Sequence, residues 1–400
     1  MDLNNWQSEP IVVLGGGFGG LSTVMALVEK SNGIPIILID QSARFIFKPL
    51  LYELLSDELQ LWEVAPKYSF LASELGFIFL KETVVEIDAF KRKVITSSGF
   101  ELNYSQLVMS TGLTTDFDGT KGLKEYAYGL SNLKDLVKIK KLIYKINNSS
   151  DYDYPLVISG AGPTGVELAC KISDLVNHKI KIYLIDKGDK ILSKSKSFNR
   201  EKAIKALEKR NIKIYLGHFI KSVNSNYCEL ISDYDEDNNI QNINYSGLIW
   251  TARLKPSLLD IVYSFSNGMN RVQVNEFLQI EEFKNIFFVG DITTNINTFF
   301  PSSAQGAMQQ GFTTAHNILS LRKGEQLQTF EFHDLGEMLS LGIGNASITA
   351  YGMTLAGPLA FEIRRLIYLM RMPGLSLTLK SAGSWLFSKK LSNRLFSQYL

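Results

Sequence analysis

Two glycine clusters carry the densest chemical signal in this sequence. Gly15-x-Gly17-x-x-Gly20 follows an apolar run that begins at Ile11, and Gly160-x-Gly162-x-x-Gly165 follows a similar run from Leu156, 145 positions further on. At this spacing the first glycine permits a tight turn, the second lets backbone approach a pyrophosphate, and the third lets a helix pack closely on a strand. The helix N-terminus then turns its free amides toward phosphate oxygens. An acid closes the next apolar run in both cases: Asp40, twenty positions after Gly20, and Asp186, twenty-one after Gly165. A carboxylate there accepts from ribose hydroxyls, which favours NADH over NADPH at the second cluster, a preference that Lys187 and Lys190 soften. Glu167 follows the third glycine by two positions. It suits two roles, charge complementarity at a helix N-terminus or a place beside a bound nicotinamide.

Other residues fit the same chemistry less specifically. Ile286-Phe-Phe-Val-Gly-Asp291 reads as a buried strand whose closing carboxylate can take a sugar-alcohol hydroxyl or cap a turn. Leu107-Val-Met-Ser-Thr-Gly112 reads as a similar strand ending near the first cluster. The stretch Pro301 to Gly311 starts a helix on which Gln305 and Gln309, spaced i, i+4, share a face. Their amides can bond a ring edge or a carbonyl, or simply form a polar face.

The elements needed to position these groups are two βαβ units in an α/β chain, each opening on a glycine loop and closing on an acid-ended strand. The length, 400 residues, suits roughly two to three domains. A composition of 45% hydrophobic and 20% charged residues excludes a disordered or collagen-like chain, and a net charge of +2 excludes nucleic-acid binding by bulk charge. Cys170 and Cys228 form neither a disulfide framework nor a CxxC pair, which points to a reducing compartment. The four histidines show no metal-ligand spacing, so no metal is expected. The start of the chain lacks the pattern of a secretory signal.

Asn147 to Asp151 reads as a polar linker and Asp233 to Asn239 as a hairpin tip. Met338 to Phe361 has no charged residue, yet its glycines, Pro358 and hydroxyl residues indicate turns and short strands against a core or cofactor, not the about 20 apolar residues of a membrane helix. From Ile363 to Leu400 the chain holds seven basic residues, Arg364 and Arg365 among them, and no acid. Trp385, Phe387, Leu391, Leu395, Phe396 and Tyr399 fall mostly on one half of a helical wheel there, with Lys390 and Arg394 opposite. This imperfect amphipathic tail suits an anionic lipid surface, or docking on the body or on a second copy.

Together these motifs resemble the two-dinucleotide-binding flavoproteins, with glutathione-reductase-like architecture, and within them the type II NAD(P)H:quinone dehydrogenases. The resemblance rests on the GGGFGG start, Pro49-Leu-Leu-Tyr-Glu53, Ser110-Thr-Gly112, GAGPTGVELA, Trp250-Thr-Ala252, Phe288-Val-Gly-Asp291 and the stretch Ala304 to Gly311. Phe45 to Leu55 and Trp62-Glu-Val-Ala-Pro66 are similar to the cyanobacterial and plastid branch, the demethylphylloquinone reductases. Ser110 replaces a commoner alanine, Asp40 a commoner glutamate, and Arg253 a commoner glycine.

The resemblance implies an FAD-dependent NAD(P)H:quinone oxidoreductase on the cytoplasmic face of a membrane, thylakoid or plasma membrane in a cyanobacterium, with a homodimer as one arrangement. It implies FAD contacts at Gly15, Gly17, Phe18, Gly19, Gly20, Asp40, Lys48, Thr111, Gly112, Asp291, Ala304 and Gln305. It implies NAD(P)H contacts at Gly160, Gly162, Pro163, Thr164, Gly165, Glu167 and Asp186, with Gln305, Gln309 and Glu167 nearest the chemistry. The expected domains are 1–115 with 285–335 for FAD, 116–284 for NAD(P)H, and 336–400 as a membrane-surface or interface segment. Disulfide-using relatives need a cysteine pair beside the flavin and sulfide:quinone reductases at least two reactive cysteines, which Cys170 and Cys228 do not supply. A soluble ferredoxin- or rubredoxin-type reductase and a non-catalytic redox sensor remain as rivals.

Overall fold

A computed structural model describes residues 8–30, 33–148, 153–234, 239–266, 269–298 and 300–387. Its centre is a pair of five-stranded parallel sheets. The first runs in the spatial order Ile286–Phe288, Gln106–Met109, Ile11–Leu14, Ile36–Ile39, Ile78–Leu80. The second runs Lys213–Leu216, Ile182–Asp186, Leu156–Ser159, Gly247–Trp250, Ala127–Tyr128. Registers match between the two: Leu14 pairs with Ile39 and Met109, as Ser159 pairs with Ile185 and Trp250. Strands covered on both faces read as unbroken apolar runs, and Ile11–Leu14 and Leu156–Ser159 are buried at every position. Each such Ile, Val or Leu side chain contributes roughly 1.5–3 kcal/mol on burial.

The helix Phe18–Lys30 lies against the long helix Ala304–Lys323. Their closeness needs glycine: a Cβ on Gly311 would stand 2.5 Å from the Gly19 carbonyl oxygen. Ser303 caps the long helix by accepting from the Gly306 amide, and left-handed Gly324 ends it. The antiparallel strands His218–Val223, Tyr227–Ser232 and Ile240–Asn244 flank the second unit. The last two form the expected hairpin, with tip residues 235–238 outside the described set; likewise only residues 147–148 of the expected linker are described.

Two segments cross between the units and pair antiparallel, Leu113–Thr115 with Leu254–Pro256. Arg253 fastens this crossing, with Nη2 3.1 Å from Asp116 and Nη1 donating to the Asp118 carbonyl at 2.9 Å. The second unit releases the chain earlier than residue 284. Val272 and Gln273 pair with Thr293 and Thr294, and Phe288 N–H donates to the Leu278 carbonyl. The stretch 272–284 thus lies along the first sheet, because the chain must reach that sheet's edge before it enters Ile286–Phe288.

After the long helix, Glu337–Ser340, Ala346–Ala350 and Met353–Gly357 form a small antiparallel sheet, followed by the helices Pro358–Leu369 and Leu375–Phe387. The uncharged stretch from Met338 therefore does form short strands and turns. Among the described residues no helix is long and apolar enough to cross a membrane. Residues 388–400, most of the basic amphipathic tail, lie outside the described residues.

Candidate functional site

Both glycine loops sit at the C-terminal edge of a parallel sheet, where such folds take ligands. At the first loop Gly15 has φ +92°, and a Cβ there would lie 2.6 Å from the Ser110 carbonyl oxygen. A Cβ on Gly20 would lie 1.9 Å from the Gly15 carbonyl oxygen, whereas one on Gly17 would meet nothing within 4 Å. So the outer glycines are needed inside the protein and the middle one faces open space. Asp40 spans the loop, accepting from Gly16 N–H and Ser42 N–H, each at 2.7 Å. Burial raises its carboxyl above the usual range, against the pull of those two amides.

The second loop repeats this build. Gly160 has φ +108°, a Cβ on Gly165 would lie 1.7 Å from the Gly160 carbonyl oxygen, and Gly162 faces open space. Asp186 accepts from Ala161 N–H at 2.6 Å and Gly188 N–H at 2.7 Å. Pro163 starts the helix Pro163–Leu175, where its missing N–H costs nothing. Each loop is also held by a hydroxyl on the sheet's third strand end. Ser110 Oγ donates to Gly15 O at 2.5 Å, and Thr251 Oγ1 to Ser159 O at 2.8 Å. Ser110, where alanine is commoner, is therefore a fastening for the loop.

Other expected cofactor residues gather at the first edge. The Leu14, Met109 and Phe288 ends are in register, which brings Gly15, Thr111–Gly112 and Gly290–Asp291 to one side. Thr111 Oγ1 is buried without a partner. Lys48 Nζ donates to the Leu113 carbonyl at 3.3 Å and bears electrostatically on Asp291. Burial raises the Asp291 carboxyl, while Lys48 and Arg271 draw it back down. The orphaned hydroxyl, the open face of Gly17 and the carboxylates fit a dinucleotide with a ribityl or ribose chain. Phe18 begins the loop's helix, its ring edge-on to Phe45 and Phe47 at 5.3 and 5.0 Å.

Between the loops lies a cluster drawn from three parts of the chain. Tyr52, on Leu51–Leu55, is buried, and burial raises its hydroxyl well above the ordinary range. Glu167 is buried and accepts from Ser340 N–H at 2.7 Å. Arg364 bonds Glu53 through Nη1, donates to the Pro49 carbonyl at 2.6 Å, and stands 3.9 Å from Glu167. Burial pushes the Glu167 carboxyl up to about 7, with Arg364 and the Ser340 amide opposing. A carboxyl poised there can exchange a proton near neutral pH.

Arg364 departs from expectation. Counted by sequence with the basic tail, it is fully buried, because Glu53 and Glu167 would otherwise face each other without a cation. Arg364, Glu53 and Tyr52 were not expected as site residues. The tyrosine and glutamate stood in the Pro49–Glu53 motif, but nothing local marked an arginine on an amphipathic helix as internal.

Gln305 and Gln309 share a face as expected, and both turn to one backbone position. Gln309 donates to the His333 carbonyl at 2.8 Å and accepts from His333 N–H at 2.9 Å, while Gln305 donates to that carbonyl at 3.4 Å. Gln310, not anticipated, is buried and accepts from Gly290 N–H at 2.5 Å, beside Asp291. Cys170 and Cys228 are buried in different elements, and burial pushes both thiols up to about 12.

Over residues 9–311 the chain matches the family described as pyridine nucleotide-disulphide oxidoreductase. It is 33% identical over 397 residues to demethylphylloquinone reductase NdbB of Synechocystis sp., covering 94% of this chain and 97% of that protein. It is 31% identical over 414 residues to alternative NAD(P)H-ubiquinone oxidoreductase C1, chloroplastic/mitochondrial, of Arabidopsis thaliana, covering 94% and 80%. The solved structure of NDH2 from Plasmodium falciparum in complex with NADH superposes with a TM-score of 0.82 at 16% identity, covering 93% of this chain and 96% of that one, a likeness of fold.

Proposed function

We propose that this chain, which belongs to the pyridine nucleotide-disulphide oxidoreductases and among them to the type II NAD(P)H:quinone oxidoreductases, oxidises NAD(P)H and reduces a membrane quinone with FAD as its resident cofactor. The observation that carries the reading is the pair of like-built glycine loops, with the buried Arg364 joining Glu53 of the first unit to Glu167 of the second. A bound flavin supplies two-electron acceptance from a nicotinamide and donation to a quinone.

The residues divide as follows. Gly15, Gly17, Phe18, Gly19, Gly20, Asp40, Lys48, Thr111, Gly112, Asp291, Ala304 and Gln305 hold FAD. The loop from Gly160 through Gly162, Pro163 and Thr164 to Gly165, with Asp186, holds NAD(P)H. Glu167 holds or releases a proton between the two, its charge balanced by Arg364. Gln305 and Gln309 set the edge of the quinone mouth through the His333 backbone. Demethylphylloquinone or another naphthoquinone is the favoured acceptor, with plastoquinone second, on the strength of the 33% identity to a demethylphylloquinone reductase.

Access to such a quinone calls for contact with a lipid surface. Leu366, Leu375 and Leu379 are exposed on the last two described helices, as are Met370, just after the first of them, and Lys380. That face supports peripheral binding by the C-terminal region. Trp385, expected on the lipid half, instead gives its indole N–H to Glu63. The test is anaerobic stopped-flow on the flavin-loaded protein, bleaching with NADH or NADPH and then adding demethylphylloquinone, menaquinone or plastoquinone analogues. Bleaching followed by quinone reoxidation is expected; no bleaching by either nucleotide overturns the reading.

A further inference from the structure

The Trp62–Pro66 stretch has so far no part in the chemistry, yet it meets the last described helix in a dense contact. Glu63, on the short helix Leu61–Val64, is buried and accepts from two donors, Gln60 N–H at 2.7 Å and Trp385 Nε1–H at 2.6 Å. Two cations flank this bond, one joining the two C-terminal helices and one crossing from them to the Trp62 stretch. Arg365 lies over the Trp385 ring with its guanidinium carbon 4.5 Å from the centroid, and Lys380 lies over the Trp62 ring at 4.7 Å. Trp62 is oriented in turn by its indole bond to Gln60 at 2.7 Å.

The contact reaches the site through backbone. Val64, next to Glu63, accepts from Phe47 N–H at 2.8 Å, and Pro66 accepts from Phe45 N–H at 3.1 Å. Phe47 packs edge-on against Phe18 at the first glycine loop and against Tyr368 at 5.4 Å. Helix Leu375–Phe387 is thus fastened through Trp385 to the wall beside the loop, while Leu375 and Leu379 are left exposed.

We propose that Glu63 and Trp385 are positioning residues for the quinone half-reaction: their bond fastens the C-terminal helix pair to the Phe18–Phe45–Phe47–Tyr368 wall and keeps the quinone mouth formed. This rests on the quinone oxidoreductase reading above. The bond plays no part in binding NAD(P)H, whose loop lies on the other unit.

The test uses the flavin-loaded full chain with vesicles of phosphatidylcholine and phosphatidylglycerol carrying a prenylated naphthoquinone. Loss of a hydrogen bond to a buried carboxylate should raise the quinone KM about tenfold in Glu63→Ala and Trp385→Phe. Flavin bleaching by NAD(P)H should be unchanged in both. Glu63→Gln retains one of the two acceptors and should fall between. The Trp385 emission, isolated as the difference from Trp385→Phe, should shift to the red in Glu63→Ala and not in Glu63→Gln. Unchanged quinone KM in Trp385→Phe, or equal losses in both half-reactions, overturns the proposal while leaving the enzyme's function standing. A wild-type protein bleached by NAD(P)H but reoxidised by no quinone overturns the functional reading, and this proposal with it.

Discussion

Arg364 and Glu53 stand 311 positions apart and are wholly buried against each other. Their ion pair joins the C-terminal region to the turn that follows the first acid-ended strand, and Glu167 of the second unit lies within 4 Å of the same guanidinium. One side chain thus ties together three stretches of sequence at the junction between the two ligand loops. Its removal is more damaging than that of a surface arginine, since two carboxylates lose their shared cation. Arg364→Met should lower stability by about 3–5 kcal/mol, read as a fall in the urea midpoint. A loss under about 1 kcal/mol, typical of an exposed pair, would show that the guanidinium does not balance these carboxylates.

Glu167 makes stability depend on pH with a definite sign. Its folded pKa, about 7, lies above the ordinary 4.5. Between those values the folded chain holds a proton that the unfolded chain has released. Stability should therefore fall as pH rises from about 4.5 to about 7 and level off above, by order 1 kcal/mol per unit across the window. Glu167→Gln should flatten that slope in denaturant titrations at several pH values. The same slope in the variant would assign it to other groups.

The two glycine loops can be separated by one methyl group each. A Cβ on Gly20 would collide with the Gly15 carbonyl, and one on Gly165 with the Gly160 carbonyl. Gly20→Ala should purify without flavin. Gly165→Ala should retain its flavin absorbance but lose bleaching by NAD(P)H at least about tenfold, each collision costing of order 1–3 kcal/mol. Loss of flavin in both variants would mean that the loops do not serve separate ligands.

Both cysteines should be silent. Cys170 and Cys228 have no exposed surface, and burial disfavours the thiolate of each. The native protein should show no fast reaction with a thiol reagent, and a Cys170→Ala/Cys228→Ala double variant should keep NAD(P)H oxidation. Rapid labelling coupled to loss of turnover would bring back a thiol mechanism.

Gln309 is committed on both sides of its amide to the His333 backbone. Gln309→Leu should release that segment and reduce quinone turnover without changing flavin bleaching. The two hydrogen bonds lost are worth about 1 kcal/mol each. Unchanged quinone turnover would detach Gln309 from the quinone mouth.

What the sequence determined by itself is local. Three glycines at fixed spacing, a buried run before them and an acid after the next run are steric and electrostatic requirements within a few residues of one another. They specified both βαβ units; that the carboxylates Asp40 and Asp186 accept from amides of their own loops came from the structure. The uncharged stretch from Met338 was legible as short strands for the same reason, through its glycines. Tertiary structure alone decided the rest. Whether Arg364 is a tail charge or an internal cation depends on Glu53, and whether Trp385 faces lipid or protein depends on Glu63. Helical periodicity reports which side chains share a face, but the partner waiting opposite that face comes from hundreds of residues away, and a buried charge is stable only where such a partner meets it.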